Sequence, residues 1–192
     1  LVQHMSANHV KTVGFIGTAD PYGDNWHKVF GGLAEKAGIK LAAAERFQRQ
    51  DTSLTAQGLK VMATAPDAVL VAAPGSSAVL PQTTLYDQGY KGRMYQTHGA
   101  ALPDFLKLGG KKVEGTVLAA SAMLVLDQVP ESHPTKKMAS QYVAAYEKLN
   151  GSKPATFGAN VYDAGLMLQA AIPAALKQGK PGTPAFRSAL RL

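Results

Sequence analysis

The chain contains no cysteine. Disulfides, thiolate metal sites and thiol nucleophiles are excluded together, and the redox compartment stays open. No apolar run reaches the roughly 18–20 residues that a membrane-spanning helix needs. Leu1 to Val10 has no apolar core of the kind a secretory leader carries, as a processed chain would also lack. No basic run exceeds two residues (Lys111-Lys112 and Lys136-Lys137), although the net charge is +7. Residues 1–96 hold nine Lys and Arg against seven acids, and residues 97–192 hold eleven against six. With no clustered base and no interleaved aromatics for stacking, nucleic-acid binding is not expected. A diffuse positive field favours an anionic small ligand instead.

The catalytic signatures of α/β proteins are missing as well. The glycines of "GFIGTADPYG" stand at 14, 17 and 23, which breaks the G-x-G-x-x-G spacing, and no acid ends the second strand for a ribose. There is no G-x-x-x-x-G-K-[ST] phosphate loop, and "APGSSA" lacks the glycines of a nucleophile elbow. The histidines at 4, 9, 27, 98 and 133 are not spaced as a metal face. Asp20 and Asp24, around a helix start, fit capping better than an acid–base pair. No reaction, metal or cofactor is called for.

What is present is the composition of a folded protein: 192 residues, 46% hydrophobic and 17% charged. Short apolar strands alternate with amphipathic helices. Leu1 to Asn8 reads as a helix end, Lys11 to Gly17 as a strand, and Tyr22 to Ala37 as a helix closed by Gly38. Strands follow at Leu41 to Phe47, at Ala68 to Ala73 ("AVLVAA", apolar throughout), at Arg93 to Thr97 and at Thr116 to Ala120. Between them lie helices at Leu54 to Ala65, Ser77 to Gln88 and Leu102 to Leu108. Longer helices run near Pro134 to Leu149 and Gly158 to Lys177, and Thr183 opens another. This order predicts βαβ units: a three-layer, doubly wound, mainly parallel α/β sheet with strands one and three adjacent. The only Gly/Pro-rich connection, "KQGKPGTP", falls too late to separate a second domain, so the chain reads as one layered unit.

In such sheets ligands bind beyond the carboxyl ends of the strands. Strand one leads into Tyr22, strand three into Pro74 and Gly75, and strand four into His98, while Phe157 starts a long helix. Each residue has a plainer reading. Tyr22 and Trp26, four apart, fit a packing pair on the helix's inner face, and Trp26 is read as core. Pro74-Gly75 fits a turn, His98 a solvated loop, and Phe157 a hydrophobic staple. The convergence of several on one sheet edge favours a ligand site.

The stretches "KTVGFIGTADPYGDNWHKVF", "PDAVLVAAPGSSAVLPQTTLYDQGYKG", "YQTHGAALPDFLKLGG", "VEGTVLAA" and "FGANVYDAGLMLQAAI" cover nearly the whole chain. They resemble the second lobe of type I periplasmic solute-binding proteins of the branched-chain amino-acid group, including relatives that take up aromatic carboxylates. The resemblance implies a non-enzymatic, periplasmic protein of two hinged lobes. Such a protein closes on an amino acid or an aromatic or branched carboxylate and delivers it to the membrane permease of an ATP-driven (ABC) importer. A sensor domain of the same fold, regulating a partner, is the alternative.

By the same resemblance Tyr22 is the aromatic ligand contact and Phe157 an apolar wall. Pro74 and Gly75 stand where relatives place a Tyr-containing loop. His98 stands where relatives carry an acid for the ligand's α-ammonium, which disfavours an α-amino acid. The resemblance also implies that residues 1–192 are a truncated lobe, without the first lobe and the returning C-terminal segment. Alone, such a chain is expected to bind at the order of millimolar and to self-associate through an uncovered apolar face.

Overall fold

The computed structural model describes residues 1–191. Its elements in order are α1 (Val2–Ala7), β1 (Thr12–Thr18), α2 (Pro21–Lys36), β2 (Lys40–Phe47), α3 (Thr55–Met62), β3 (Ala68–Ala72), α4 (Val79–Asp87) and β4 (Arg93–Gln96). They continue with α5 (Pro103–Gly109), β5 (Val117–Leu118), α6 (Lys136–Asn150), α7 (Thr156–Leu176) and α8 (Pro184–Ala189). Short 3₁₀ turns fill several connections, including Gly75–Ala78 before α4 and His98–Ala100 after β4.

Five parallel strands form one sheet in the order β2-β1-β3-β4-β5. Strands one and three are neighbours, with Val13 opposite Ala68 and Gly17 opposite Ala72. Alternation along the strands sends side chains into two separate cores. Val13 and Phe15 of β1 and Leu70 and Ala72 of β3 meet Met5 of α1 and Phe30 and Ala34 of α2. On the opposite face Ile16, Val69 and Val71 meet Leu54 and Val61 around α3, Leu85 of α4 and Phe105 of α5. Helices on both faces make this the doubly wound layer structure expected from the strand–helix alternation.

Local chemistry fixes the ends of the elements. At the amino edge the Asp67 carboxylate accepts the Lys11 and Thr12 N–H groups, each at 2.8 Å, and the Thr12 hydroxyl at 2.9 Å. Those hydrogen bonds, the Lys11 N–H first, hold the carboxyl below its ordinary value. They tie the entry of β1 to that of β3. At the carboxyl edge Asp20 is the N-cap of α2: its side chain accepts the Gly23 N–H at 3.0 Å, and Pro21 occupies the first helical turn. Gly23 is required there, because a Cβ would overlap the backbone of Thr18. The absence of that one carbon lets α2 start directly against the end of β1.

Packing divides the chain into two compact units, Leu1–Ala120 and Ser121–Leu192, in place of the single layered unit read from the sequence. The sheet lies wholly in the first. Strand β5 is only Val117–Leu118, shorter than the Thr116 to Ala120 expected. The helices after it carry no strand to cover and pack on one another. In the second unit Tyr142 of α6 lies 4.8 Å from Tyr162 of α7 and 5.9 Å from Tyr146, centroid to centroid. Much of α7 remains apolar and open, with Val161 and Met167 each 73% exposed. No Gly/Pro cluster marks the division at Ala120, which is why composition did not reveal it.

The cap carries a pH-dependent prediction. Burial pushes the Asp20 carboxyl up, but hydrogen bonds from the Gly23 N–H, the Thr18 hydroxyl and Arg49, with the Arg49 charge, outweigh it and hold it at about 2. A carboxylate depressed below its unfolded value stabilises the fold above that value and loses its contribution as pH falls through the folded one. Asp20→Ala is therefore expected to cost about 1–2 kcal/mol at neutral pH. The gap to wild type should shrink as pH falls from about 4 towards 2, read from urea midpoints at each pH.

Candidate functional site

The connections after β1, β3 and β4 meet at the carboxyl edge of the sheet. After β1 the chain turns into α2 over one face, and after β3 it turns through Gly75–Ala78 into α4 over the other. Neighbouring strands whose connections depart to opposite faces mark the place where such sheets bind ligands. Tyr22, at the start of α2, leans across it. Its hydroxyl lies 2.7 Å from Oγ1 of Thr97, the residue that follows β4. Thr97 itself is fully buried, with its N–H bonded to the Val71 carbonyl of β3 at 3.2 Å.

His98, next in the chain, is exposed and stands between two rings. Its centroid is 5.9 Å from Tyr22, edge on, and 5.8 Å from Trp26. Tyr22 and Trp26 are 6.4 Å apart. The three rings form one open aromatic cluster, within the distance range of favourable edge and tilted contacts. No hydrogen bond engages the imidazole nitrogens among the described residues. Pro74 closes the side nearest β3: a Cβ on Gly99 would lie 2.6 Å from the Tyr22 hydroxyl and 2.9 Å from both the Ala73 carbonyl oxygen and the Pro74 Cα. Gly99 is therefore the spacer that lets Tyr22, the β3 loop and the β4 loop come together.

The β3 loop is held from beneath. The Ser77 hydroxyl donates to the Pro74 carbonyl at 2.6 Å, and Gly75 turns the chain at φ 60°. Gln96, fully buried at the end of β4, donates to the Ala78 carbonyl at 3.2 Å and to Gln82 Oε1 at 2.9 Å. Gln82 in turn donates to the Lys112 carbonyl and to the Thr116 hydroxyl. This buried chain of amides ties the loop, α4 and the entry to β5 to one strand.

The charged groups beside the cluster are already paired. Arg49 bonds Asp20 at 2.6 Å, and Arg46 bonds Asp24 at 2.7 Å while its guanidinium stands 5.7 Å from the Phe15 ring centroid. Asp20 caps α2 as expected, whereas Asp24 makes no cap hydrogen bond and lies in the first turn paired with Arg46. Among the described residues no three His, Asp or Glu side chains gather as a metal ion would require.

Of the residues singled out from the sequence, Tyr22, Pro74, Gly75 and His98 come to one edge of the first unit. Phe157 is in the second unit, 40% exposed in the first turn of α7. Trp26, read as core, packs partly against the core beneath α2 and partly against His98. Thr97 and Gly99 were not singled out. Their signal lay inside "QTHGA", where a small hydroxyl residue and a glycine flank the histidine.

A three-layer parallel sheet thus carries an open aromatic cluster at its strand switch point. The chain belongs to the periplasmic binding protein family, whose model matches residues 1–191. Among solved structures it is similar to an extracellular ligand-binding receptor from Rhodopseudomonas palustris HaA2, at 44% identity and a TM-score of 0.89 over 99% of this chain and 53% of that one. It is similar to a putative branched-chain amino acid ABC transporter from Rhodospirillum rubrum, at 25% identity and a TM-score of 0.73 over 98% of this chain and 52% of that one. A leucine binding protein from Thermotoga maritima shares the fold at 22% identity and a TM-score of 0.77, over 99% of this chain and 51% of that one. The chain thus spans about half the length of each of these structures. No curated protein matches it.

The close approach at Gly99 is directly testable. Gly99→Ala places a methyl group against backbone as well as the tyrosine, so relief requires the loops to part. The expected cost is about 1–3 kcal/mol. The emission of Trp26, the only tryptophan, should change with it, whereas a Gly31→Ala control, inside α2 and with no atom within 4 Å of its Cβ, should leave emission close to wild type and raise stability by about 0.5–1 kcal/mol.

Proposed function

We propose that this chain forms the sheet-bearing part of a solute receptor for an ATP-driven importer, working in the periplasmic or extracellular space. Its solute is an aromatic or branched carboxylate without an α-ammonium, and its protein partner is a membrane permease. The family and the receptor from R. palustris support solute binding, and the R. rubrum relative supports the importer.

The observation that carries the ligand class is the setting of His98, whose imidazole nitrogens are unengaged between Tyr22 and Trp26. A desolvated ammonium requires a carboxylate, since an unpaired buried charge costs several kcal/mol. The acids near the cluster, Asp20 and Asp24, are committed to arginines and to the helix start. An imidazole N–H instead donates to a carboxylate or keto oxygen, and more strongly when protonated. The flanking rings accept a flat or branched apolar body, with a preference of about 0.5–1.5 kcal/mol per aromatic pair beyond area.

Trp26 emission provides the assay. Benzoate is expected to titrate it with a Kd on the order of millimolar, since one open face buries only part of a ligand. Leucine is expected to bind at least about tenfold more weakly, and His98→Ala to weaken benzoate. Displacement of benzoate by leucine, or an unchanged affinity in His98→Ala, would reject the ligand class.

A further inference from the structure

The direction of the hydrogen bond between Tyr22 and Thr97 follows from where each group sits. Two hydroxyls 2.7 Å apart share one proton-mediated bond, so one donates and the other keeps its proton for use elsewhere. Thr97 is fully buried, and its hydroxyl has no other hydrogen-bond partner among the described residues. If Tyr22 donated, the Thr97 proton would be left unsatisfied inside the protein, which is the costlier of the two arrangements. Tyr22 is only half-buried, so its side chain reaches solvent. Its proton has somewhere to go.

We propose that Thr97 is the positioning residue of this site. It donates to the Tyr22 phenol oxygen and so commits the Tyr22 O–H to an acceptor outside the protein. The site then presents two outward donors, the Tyr22 hydroxyl and the His98 imidazole, on rings 5.9 Å apart. That pair selects a ligand bearing an oxygen acceptor, a carboxylate or a keto group, and offers nothing to an ammonium. Thr97 never touches the ligand. It acts by fixing which way a neighbouring proton points, while Gly99 leaves the space in which the two hydroxyls meet. The ligand half of this inference rests on the binding role proposed above; the direction of the bond does not.

Two readouts on the chain of residues 1–192 separate the parts. The first needs no ligand. With ring-labelled tyrosine, the phenol C–O stretching band of Tyr22 is isolated by subtracting the Tyr22→Phe spectrum. A phenol that accepts and donates absorbs differently from one that only donates. Thr97→Val is expected to move the band to the donor-only position, and Thr97→Ser to restore it. A band already at the donor-only position in wild type, unmoved in Thr97→Val, overturns the assignment.

The second readout is benzoate titration of Trp26 emission, with benzylamine as the cationic counterpart. Thr97→Val is expected to weaken benzoate about five- to tenfold, the scale of one lost hydrogen bond to a charged acceptor. Tyr22→Phe should do the same, the double variant should lose little more, and Thr97→Ser should bind like wild type. Benzylamine should bind none of these proteins better than benzoate binds wild type. Benzoate binding that is normal in a folded Thr97→Val overturns the positioning role. Absence of benzoate binding to wild type overturns the ligand half and the function it rests on, with the vibrational result still deciding the direction of the bond.

Discussion

Strand β3 lies between β1 and β4 with apolar helices over both faces, and all five of its residues are fully buried. A strand in that position cannot tolerate a polar side chain on either face, so its sequence reads as one apolar run, "AVLVA". The same burial decides where the chain can go next. Beyond Ala72 the backbone must leave the sheet towards the α4 side, while β1 beside it leaves towards the α2 side. Two adjacent strands that diverge to opposite faces leave a gap between their connections, and the cluster of Tyr22, Trp26 and His98 occupies its rim. The location of the site is a consequence of core packing; its chemistry is set by the few residues in the connections.

The layers were legible in the sequence because they depend on periodicity, which a single chain carries in full. The alternation of short apolar strands with capped helices predicted the parallel sheet and the adjacency of β1 and β3. The end of the sheet was less legible. "GTVLAA" supplies only Val117 and Leu118 to pairing, opposite Tyr95 and Gln96 at the end of β4. The division after Ala120 left no compositional mark, since the helices that follow are as apolar as those that cover a sheet.

The candidate site was legible by residue type and opaque by contact. Tyr22, Pro74 and His98 stood out as unusual residues at strand ends. Trp26 fitted a core position equally well, and a ring that covers the core with one face and an imidazole with the other satisfies both readings. Thr97 and Gly99 carry no signal of their own, because threonine and glycine are ordinary in a loop. Their roles come from distances across the sheet: a hydroxyl that reaches a residue 75 positions away, and a missing Cβ where three segments converge. Sequence spacing does not encode such approaches, whereas the fold makes them unavoidable.

For the ligand class proposed above, selectivity rests on direction more than on field. The chain carries a net charge of +7, which draws anions towards it without choosing among them. Near the cluster that positive charge is spent, with Arg46 and Arg49 paired to the acids at the start of α2. A free guanidinium at this edge would hold any anion tightly and resist its release. The two donors proposed on the Tyr22 and His98 rings would act differently: they would reward an oxygen at one place and penalise a ligand that leaves them unpaired. The solute-receptor role proposed above, which requires both capture and release, would be served by contacts of that kind. Their cost in organisation is met by buried groups such as Thr97 and Gln96, which never meet the solvent.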